Sequence, residues 1–195
     1  MLTKLDYTIS AEVLQEAQER LSSADTKSTV NQPTGRFFYD RWQIKPEYKN
    51  TVWETILNSL PLDIGEARLI VLLPGQCYQA HADIDDRYHL NISGSDCFLI
   101  DLDNKILDEI VQDRHWYKMD AGPRHSAANF GQVPRIQLVV RKLLDENILK
   151  DPVQIKLSAV RLDNNDARFF FDQTISVWLN KANKERSLAT NIWNA

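Results

Sequence analysis

Residues 74–94, "PGQCYQAHADIDDRYHLNISG", place two of the chain's four histidines and several carboxylates in a run that otherwise reads as β-strand. Side chains two residues apart in an extended segment point to the same face. His81 and Asp83 can therefore converge on one point. The stretch is either the polar face of a hairpin or half of a metal site.

The flanking sequence predicts a β-rich core. Between residues 67 and 143, short apolar or alternating runs follow one another at close spacing and are separated by turn-forming residues. The runs are "RLIVLL" (68–73), "YHLNIS" (88–93), "CFLIDL" (97–102), "KILDEIV" (105–111), "HWYKM" (115–119) and "RIQLVVRKL" (135–143). This spacing favours an antiparallel barrel or jelly roll, and the flanking helical patterns make the chain α+β.

Two helices are predicted before the core. Ser10 is a candidate N-cap for the first, which carries its apolar residues on one face. Thr51 and Glu54 form a capping-box pattern at the start of the second, which Pro61 ends. Residues 22–38 between them, "SSADTKSTVNQPTGRFF", predict a long loop, and long loops often serve as binding loops or lids. Whether residues 22–35 form such a lid stays open.

The chain is expected to be one domain with three parts. Residues 1–65 supply the N-terminal helices and loop, residues 66–145 the β core, and residues 146–195 a helical extension. Within that extension, residues 166–185 predict a helix, while residues 153–160 are compatible with strand or helix.

Composition narrows the functional class. The chain has 195 residues, of which 43% are apolar and 26% charged, as in ordinary globular proteins. A net charge of −4 gives no sign of a nucleic-acid partner, which usually needs a basic face. Cys77 and Cys97 are expected to be reduced, small and buried. No apolar run has the length of a signal peptide or a membrane span, so a cytoplasmic location is expected.

A histidine and a carboxylate are two members of the 2-His-1-carboxylate triad, which holds non-haem Fe(II) and leaves positions open. The second histidine has three candidates. His89 lies at an even offset from His81, His115 begins a strand, and His125 follows a Gly-Pro turn. We favour His125, because the turn fixes the backbone before it and a run of small residues follows.

Arg135 opens a strongly apolar run, ten residues after His125. An unpaired buried charge is very costly, so a guanidinium here needs an anionic partner. Arginine binds a carboxylate through two parallel hydrogen bonds. A dicarboxylate co-substrate would supply that partner.

Four segments in order, "LPGQCYQAHADIDDRYHLNI", "FLIDLDN", "WYKMDAGPRHSAANFG" and "PRIQLVV", resemble the aspartyl/asparaginyl β-hydroxylase family of Fe(II)- and 2-oxoglutarate-dependent oxygenases. That family is related to bacterial proline hydroxylases. The resemblance covers about residues 67–142. A lone His-x-Asp is a weak signal, but the ordered set with Arg-x-His and the His and Arg ten residues apart is specific. Mammalian members have Gly where Asp83 stands and Ser where Ile70 stands, so one ligand and one co-substrate contact differ.

The resemblance implies a double-stranded β-helix, a cupin-like jelly roll, as the mainly β core between flanking N- and C-terminal helices. It assigns three catalytic iron ligands and three co-substrate contacts: His81, Asp83 and His125 for Fe(II), and Arg135, Arg87 and His89 for 2-oxoglutarate. Arg135 would pair with the distal carboxylate. The implied activity is hydroxylation, by dioxygen, of an amino acid that is free or part of a peptide (Asp, Asn or Pro), with release of succinate and CO2. No nucleic-acid or membrane partner is implied.

Two other functional classes stay open. A cupin-like metal- or ligand-binding protein shares the architecture but usually carries more than one histidine in the first strand motif. A partner-binding module that had lost the chemistry would be expected to lack a ligand. For Arg87 and His89, the alternative is a salt bridge to Asp85 or Asp86, which are expected to be solvated turn residues.

Overall fold

The computed structural model describes residues 2–21, 29–83 and 85–144. Ten strands and two α-helices follow one another along these residues. The strands are β1 (Leu2–Thr8), β2 (Asn31–Pro33), β3 (Trp42–Ile44), β4 (Ile64–Leu72), β5 (Arg87–Ser93), β6 (Cys97–Asp101), β7 (Ile106–Glu109), β8 (His115–Met119), β9 (His125–Asn129) and β10 (Arg135–Lys142). The helices are α1 (Ala11–Arg20) and α2 (Val52–Asn58), with a 3-10 turn at Pro46–Tyr48.

Two antiparallel sheets form the core. The larger has the strand order β1-β8-β5-β10-β4 and the smaller the order β7-β6-β9. Bridges Cys77↔Ala128 and His81↔His125 add residues 77–81 to the free side of β9. From β4 onward the chain therefore passes back and forth between the two sheets, which is the winding of a jelly roll. The predicted mainly β, cupin-like fold is confirmed.

The helices pack on the outer face of the larger sheet. Their buried residues join apolar side chains of that face, including Leu90, Trp116 and Leu138, in one cluster. The Ser10 cap is confirmed, since its Oγ accepts a hydrogen bond from Val13 N at 3.2 Å. The capping box is wrong, because the Thr51 side chain bonds backward to the Tyr48 carbonyl and makes no cap bond.

All six predicted runs form strands. β1 was not predicted, and β2 occupies part of the predicted loop, where it pairs with β3. The predicted C-terminal helix and residues 153–160 lie outside the described residues, as do residues 22–28 of the loop. The domain boundaries and the lid therefore stay predictions.

Among the described residues, none of the helices combines the length and the apolar character needed to cross a membrane.

Candidate metal centre

Backbone pairing places two histidines opposite each other. His81 N donates to the His125 carbonyl at 3.0 Å, and His125 N donates to the His81 carbonyl at 2.7 Å. This bridge between β9 and the segment before β5 sets the two ring centroids 4.4 Å apart. Of the three candidates for the second histidine, His125 is therefore the one that the fold brings to His81.

Asp83 completes the cluster. Its backbone N–H donates to the Ala121 carbonyl at 2.8 Å, which fixes the residue two positions after His81. Its Oδ2 lies 4.0 Å from His81 Nε2 and 3.8 Å from His125 Nε2. The three ligand atoms lie within 4.8 Å of one another. Histidine and carboxylate donors at this separation fit one transition-metal ion.

The hydrogen bonds of both rings fix the tautomer that a metal requires. His81 Nδ1 lies 2.8 Å from the Gln79 carbonyl, and His125 Nδ1 lies 2.9 Å from the Pro123 carbonyl. Because a carbonyl can only accept, each Nδ1 carries the proton. Each Nε2 then turns a lone pair toward Asp83, as in ligating histidines whose other nitrogen is held by a backbone carbonyl.

The protonation states of the cluster suit a metal ion. Burial alone would raise the pKa of Asp83, but Arg87, then His81 and His125, outweigh it and hold that pKa below its usual value. Burial, followed by the neighbouring His81, lowers the pKa of His125. Both shifts favour the forms that bind metal, a carboxylate and a neutral imidazole. The His81 side chain is 33% exposed, which leaves the cluster open on one side.

Arg135 lies in the same cavity as the three candidate ligands. The residue is only 1% exposed, and its Nε and Nη1 have no hydrogen-bond partner among the described residues. Its guanidinium carbon lies 5.6 Å from the centroid of the Tyr78 ring. Burial lowers its pKa, with Tyr78 opposing the shift. A buried guanidinium with spare donors fits a carboxylate ligand.

His89 lines this cavity from β5 but lies outside the group of three ligand atoms. Its Nδ1 contacts Gln137 Oε1 at 3.1 Å, while its Nε2 is buried without a partner among the described residues. Burial lowers the pKa of His89 to about 3, against the opposing effect of its hydrogen bond to Gln137 Oε1. The third candidate, His115, contacts the Leu5 carbonyl instead, at 3.0 Å.

Arg87 also lines the cavity, and it pairs with Asp83 at 3.1 Å and with Asp85 at 2.5 Å. The salt bridge to Asp85 is the alternative that the sequence left open. Asp85 itself is 2% exposed, so its expected role as a solvated turn residue is wrong. Cys97 is buried and Cys77 exposed, both as free thiols, which corrects the expectation for Cys77.

Sequence reasoning missed Tyr78, Gln137 and Arg141. The alternation in β10 could have found two of them, because positions 135, 137, 139 and 141 share one face of the strand. Gln137 contacts His89, and Arg141 is buried against Asp85. Tyr78 is extended along β9 through its N–H bond to the Ala127 carbonyl, and its hydroxyl is buried. No pattern in the sequence points to it.

Neither a family model nor a curated protein matches the chain. Solved structures similar to it include an oxidoreductase of the 2OG-Fe(II) oxygenase family from Burkholderia pseudomallei, at 12% identity and a TM-score of 0.49 over 72% of this chain and 82% of that one. A prolyl-4-hydroxylase from Pseudomonas putida is similar at 11% identity and a TM-score of 0.44, over 74% and 88% of the two chains. A cupin domain from Bordetella pertussis is similar at 12% identity and a TM-score of 0.35, over 39% and 78%. At such values the chemistry has to be inferred from the site itself.

Proposed function

We propose that this protein is an Fe(II)- and 2-oxoglutarate-dependent dioxygenase that hydroxylates an amino acid or a peptidyl residue of the Asp, Asn or Pro type. The observation that carries the proposal is the sharing of one cavity by an open His-Asp-His cluster and a buried guanidinium with spare donors. A metal and a dicarboxylate together would satisfy both.

His81, Asp83 and His125 would bind the metal through two Nε2 atoms and a carboxylate oxygen. Two neutral nitrogens and one oxygen on one side of an ion are the donor set of non-haem Fe(II) oxygenases. Backbone carbonyls fix both imidazole tautomers, so the donors need no rearrangement before they bind.

Arg135 would bind the distal carboxylate of 2-oxoglutarate. A carboxylate satisfies two guanidinium donors at once and removes the cost of an unpaired buried charge. His89, as a neutral ring whose Nδ1–H donates to Gln137 Oε1, would accept one further hydrogen bond at its unpaired Nε2. The predicted co-substrate role of Arg87 competes with the two ion pairs that this residue makes to Asp83 and Asp85.

Bound together, Fe(II) and 2-oxoglutarate would supply the oxidising chemistry: dioxygen gives one oxygen atom to a substrate C–H bond and the other to succinate, with release of CO2. The residues of this chain would hold the metal, orient the co-substrate and exclude competing reactions. No general base is required, because no proton has to be removed from the substrate carbon.

The proposal can be tested anaerobically by titrating the purified protein with Fe(II) and then with 2-oxoglutarate. The expected result is a visible charge-transfer band of the chelated complex, weakened in Arg135→Gln and unchanged in Arg20→Gln, an exposed arginine on α1. His81→Ala and Asp83→Ala should not bind iron or release succinate. Iron binding without the band in the wild-type protein would refute the oxygenase function.

One observation favours a cupin-like metal- or ligand-binding protein without oxygenase activity. His89 lines the same cavity as the triad, so it could supply a further imidazole ligand, as in metal sites rich in histidine. Against it, Arg135 then has no anionic partner. Tight binding of Zn(II) or Mn(II) with no affinity for 2-oxoglutarate would favour this second function.

A further inference from the structure

Among the described residues, Arg87 is the cation that contacts the candidate ligand Asp83 from outside the triad. Arg87 Nη2 lies 3.1 Å from Asp83 Oδ2, which is the same oxygen that faces both imidazoles. Both residues are buried, at 4% and 9% exposure. A charged hydrogen bond away from water is strongly directional. Arg87 therefore fixes where this oxygen points.

Arg87 is itself held from behind by Asp85. Its Nη1 lies 2.5 Å from Asp85 Oδ2 and donates to the Asp85 carbonyl at 2.6 Å. Asp85 is buried and does not line the cavity, and its contact with a cavity-lining residue is the one to Arg87. The guanidinium of Arg87 thus joins a candidate metal ligand to a carboxylate that does not line the cavity.

Asp85 is anchored in turn by Arg141 on β10. Arg141 Nη1 donates to both carboxylate oxygens of Asp85, at 2.8 and 3.0 Å, and its Nε donates to Glu66 at 3.2 Å. The rings of Phe37 and Phe38 lie 5.5 and 5.3 Å from its guanidinium carbon. Anion and cation therefore alternate from Glu66 on β4 to Asp83, and every buried member has an opposite charge beside it, as burial requires.

We propose that Arg87 and Asp85 are positioning residues for the metal: they hold Asp83 Oδ2 toward His81 and His125, so that Arg87 serves the metal ligand and not the co-substrate. This inference rests on the proposed metal site and goes beyond it. Residues that orient metal ligands typically change metal affinity by about ten- to a hundredfold when they are replaced.

The test measures Mn(II) binding to the full chain without 2-oxoglutarate, from the electron paramagnetic resonance signal of free Mn(II). Asp85→Asn and Arg87→Lys should each bind Mn(II) about ten- to a hundredfold more weakly than the wild type. Lysine keeps the positive charge but cannot bond to Asp83 and Asp85 at the same time. The variant therefore separates the effect of the two-sided hydrogen bonding from the effect of the charge. Glu66 is half-buried and lies at the far end of this chain of charges from Asp83, so Glu66→Gln should weaken Mn(II) binding less. Asp113→Asn, the same substitution in an ion pair with Lys4 elsewhere, should have none.

Two further readouts separate positioning from general damage to the fold. At saturating Mn(II), the affinity for 2-oxoglutarate should be unchanged in both variants. The visible spectrum of bound Co(II) should change in Asp85→Asn and Arg87→Lys but not in Asp113→Asn, because it reports the ligand geometry. Arg87→Lys keeps the buried charge and replaces Asp85→Asn should the latter fail to fold.

The outcomes also separate this inference from the proposed function. Wild-type Mn(II) affinity in both variants, or a loss of 2-oxoglutarate affinity alone, would overturn the inference while leaving the metal site intact. A wild-type protein that binds no Mn(II) would overturn the metal site and the inference together.

Discussion

The two faces of the larger sheet are both buried, yet they carry opposite chemistry. On the helix side, β5 and β10 present Leu90, Ile92 and Leu138, which pack with Trp116 in a continuous apolar core. On the side facing the smaller sheet, the same two strands present buried polar residues. These are Arg87, His89 and Asn91 from β5, and Arg135, Gln137 and Arg141 from β10.

The contrast shows which face is complete without a ligand. Apolar burial stabilises the helix side by itself. On the opposite face, polar atoms of Arg135, His89, Gln137 and Asn91 are buried without partners among the described residues. Such atoms cost free energy until something binds them. The helix side therefore carries the larger apolar core, while the other face combines a smaller apolar cluster, which includes Leu72 and Met119, with unpaired polar atoms, of which those of His89 and Arg135 belong to cavity-lining residues.

The largest effect is expected from breaking the helix side. Trp116→Ala should lower the free energy of unfolding by about 3–5 kcal/mol, because the ring is fully buried and donates through Nε1 to Ser59 Oγ at 2.9 Å. Urea unfolding would measure the loss. Leu107→Ala, at a side chain 56% exposed on β7, should change it by no more than about 0.5 kcal/mol. If Trp116→Ala also lowered the free energy of unfolding by no more than about 0.5 kcal/mol, the helix side of the larger sheet would not be the stabilising face.

The opposite sign is expected on the face toward the smaller sheet. Arg135→Met removes a buried guanidinium with unpaired donors, so without ligands it should raise the free energy of unfolding by about 1–3 kcal/mol. The same variant should lose the stabilisation that 2-oxoglutarate gives the metal-loaded wild type. Thermal unfolding with EDTA, and again with Mn(II) and 2-oxoglutarate, would measure both effects.

Arg20→Met serves as the control, because this arginine pairs with Glu16 on the surface of α1. It should change stability by no more than about 0.5 kcal/mol. Destabilisation by Arg135→Met in the absence of ligands would mean that the guanidinium contributes to the empty fold, and the contrast between the faces would fail.

The same contrast explains what could be predicted from sequence. Alternation in "YHLNIS" and "RIQLVV" identified β5 and β10, because the period of a strand is local. Whether the polar residues of β5 and β10 are buried or exposed depends on the smaller sheet, which covers them and includes β9. "HSAAN" has little intrinsic strand preference and is absent from the six predicted runs, but pairing with β6 makes it a strand. Asp85 was assigned to solvent for the same reason, since its partner Arg141 is 56 residues away.

The triad was more accessible to sequence reasoning than its surroundings. His81 and Asp83 share a face by spacing alone, and the Gly-Pro turn favoured His125. Gln137 and Tyr78 carry no chemical signature, and they matter only because the winding brings them beside His89 and Arg135. The candidate ligand-binding residues could thus be recognised by their type, whereas the residues beside them could be found only from the packing.

The smallest effect concerns His89 and depends on pH. Burial lowers its pKa to about 3 in the folded protein, against 6.5 as the ordinary value. Between these values the unfolded chain binds a proton that the folded chain does not, so falling pH favours unfolding. At pH 5.5, one unit below the ordinary value, this costs about 1.4 kcal/mol relative to pH 8. His89→Gln should abolish that part of the pH dependence.

Urea unfolding at both pH values with EDTA would measure the difference between wild type and variant. Tyr88→Phe changes the neighbouring residue on the helix side of β5 and leaves the imidazole in place, so its pH dependence should match the wild type. If the free energy of unfolding changed by the same amount between the two pH values in the wild type and in His89→Gln, the folded protein would accept a proton on His89 as readily as the unfolded chain does. His89 would then be in contact with water, and the polar face opposite the helix-side core would not be a dehydrated surface.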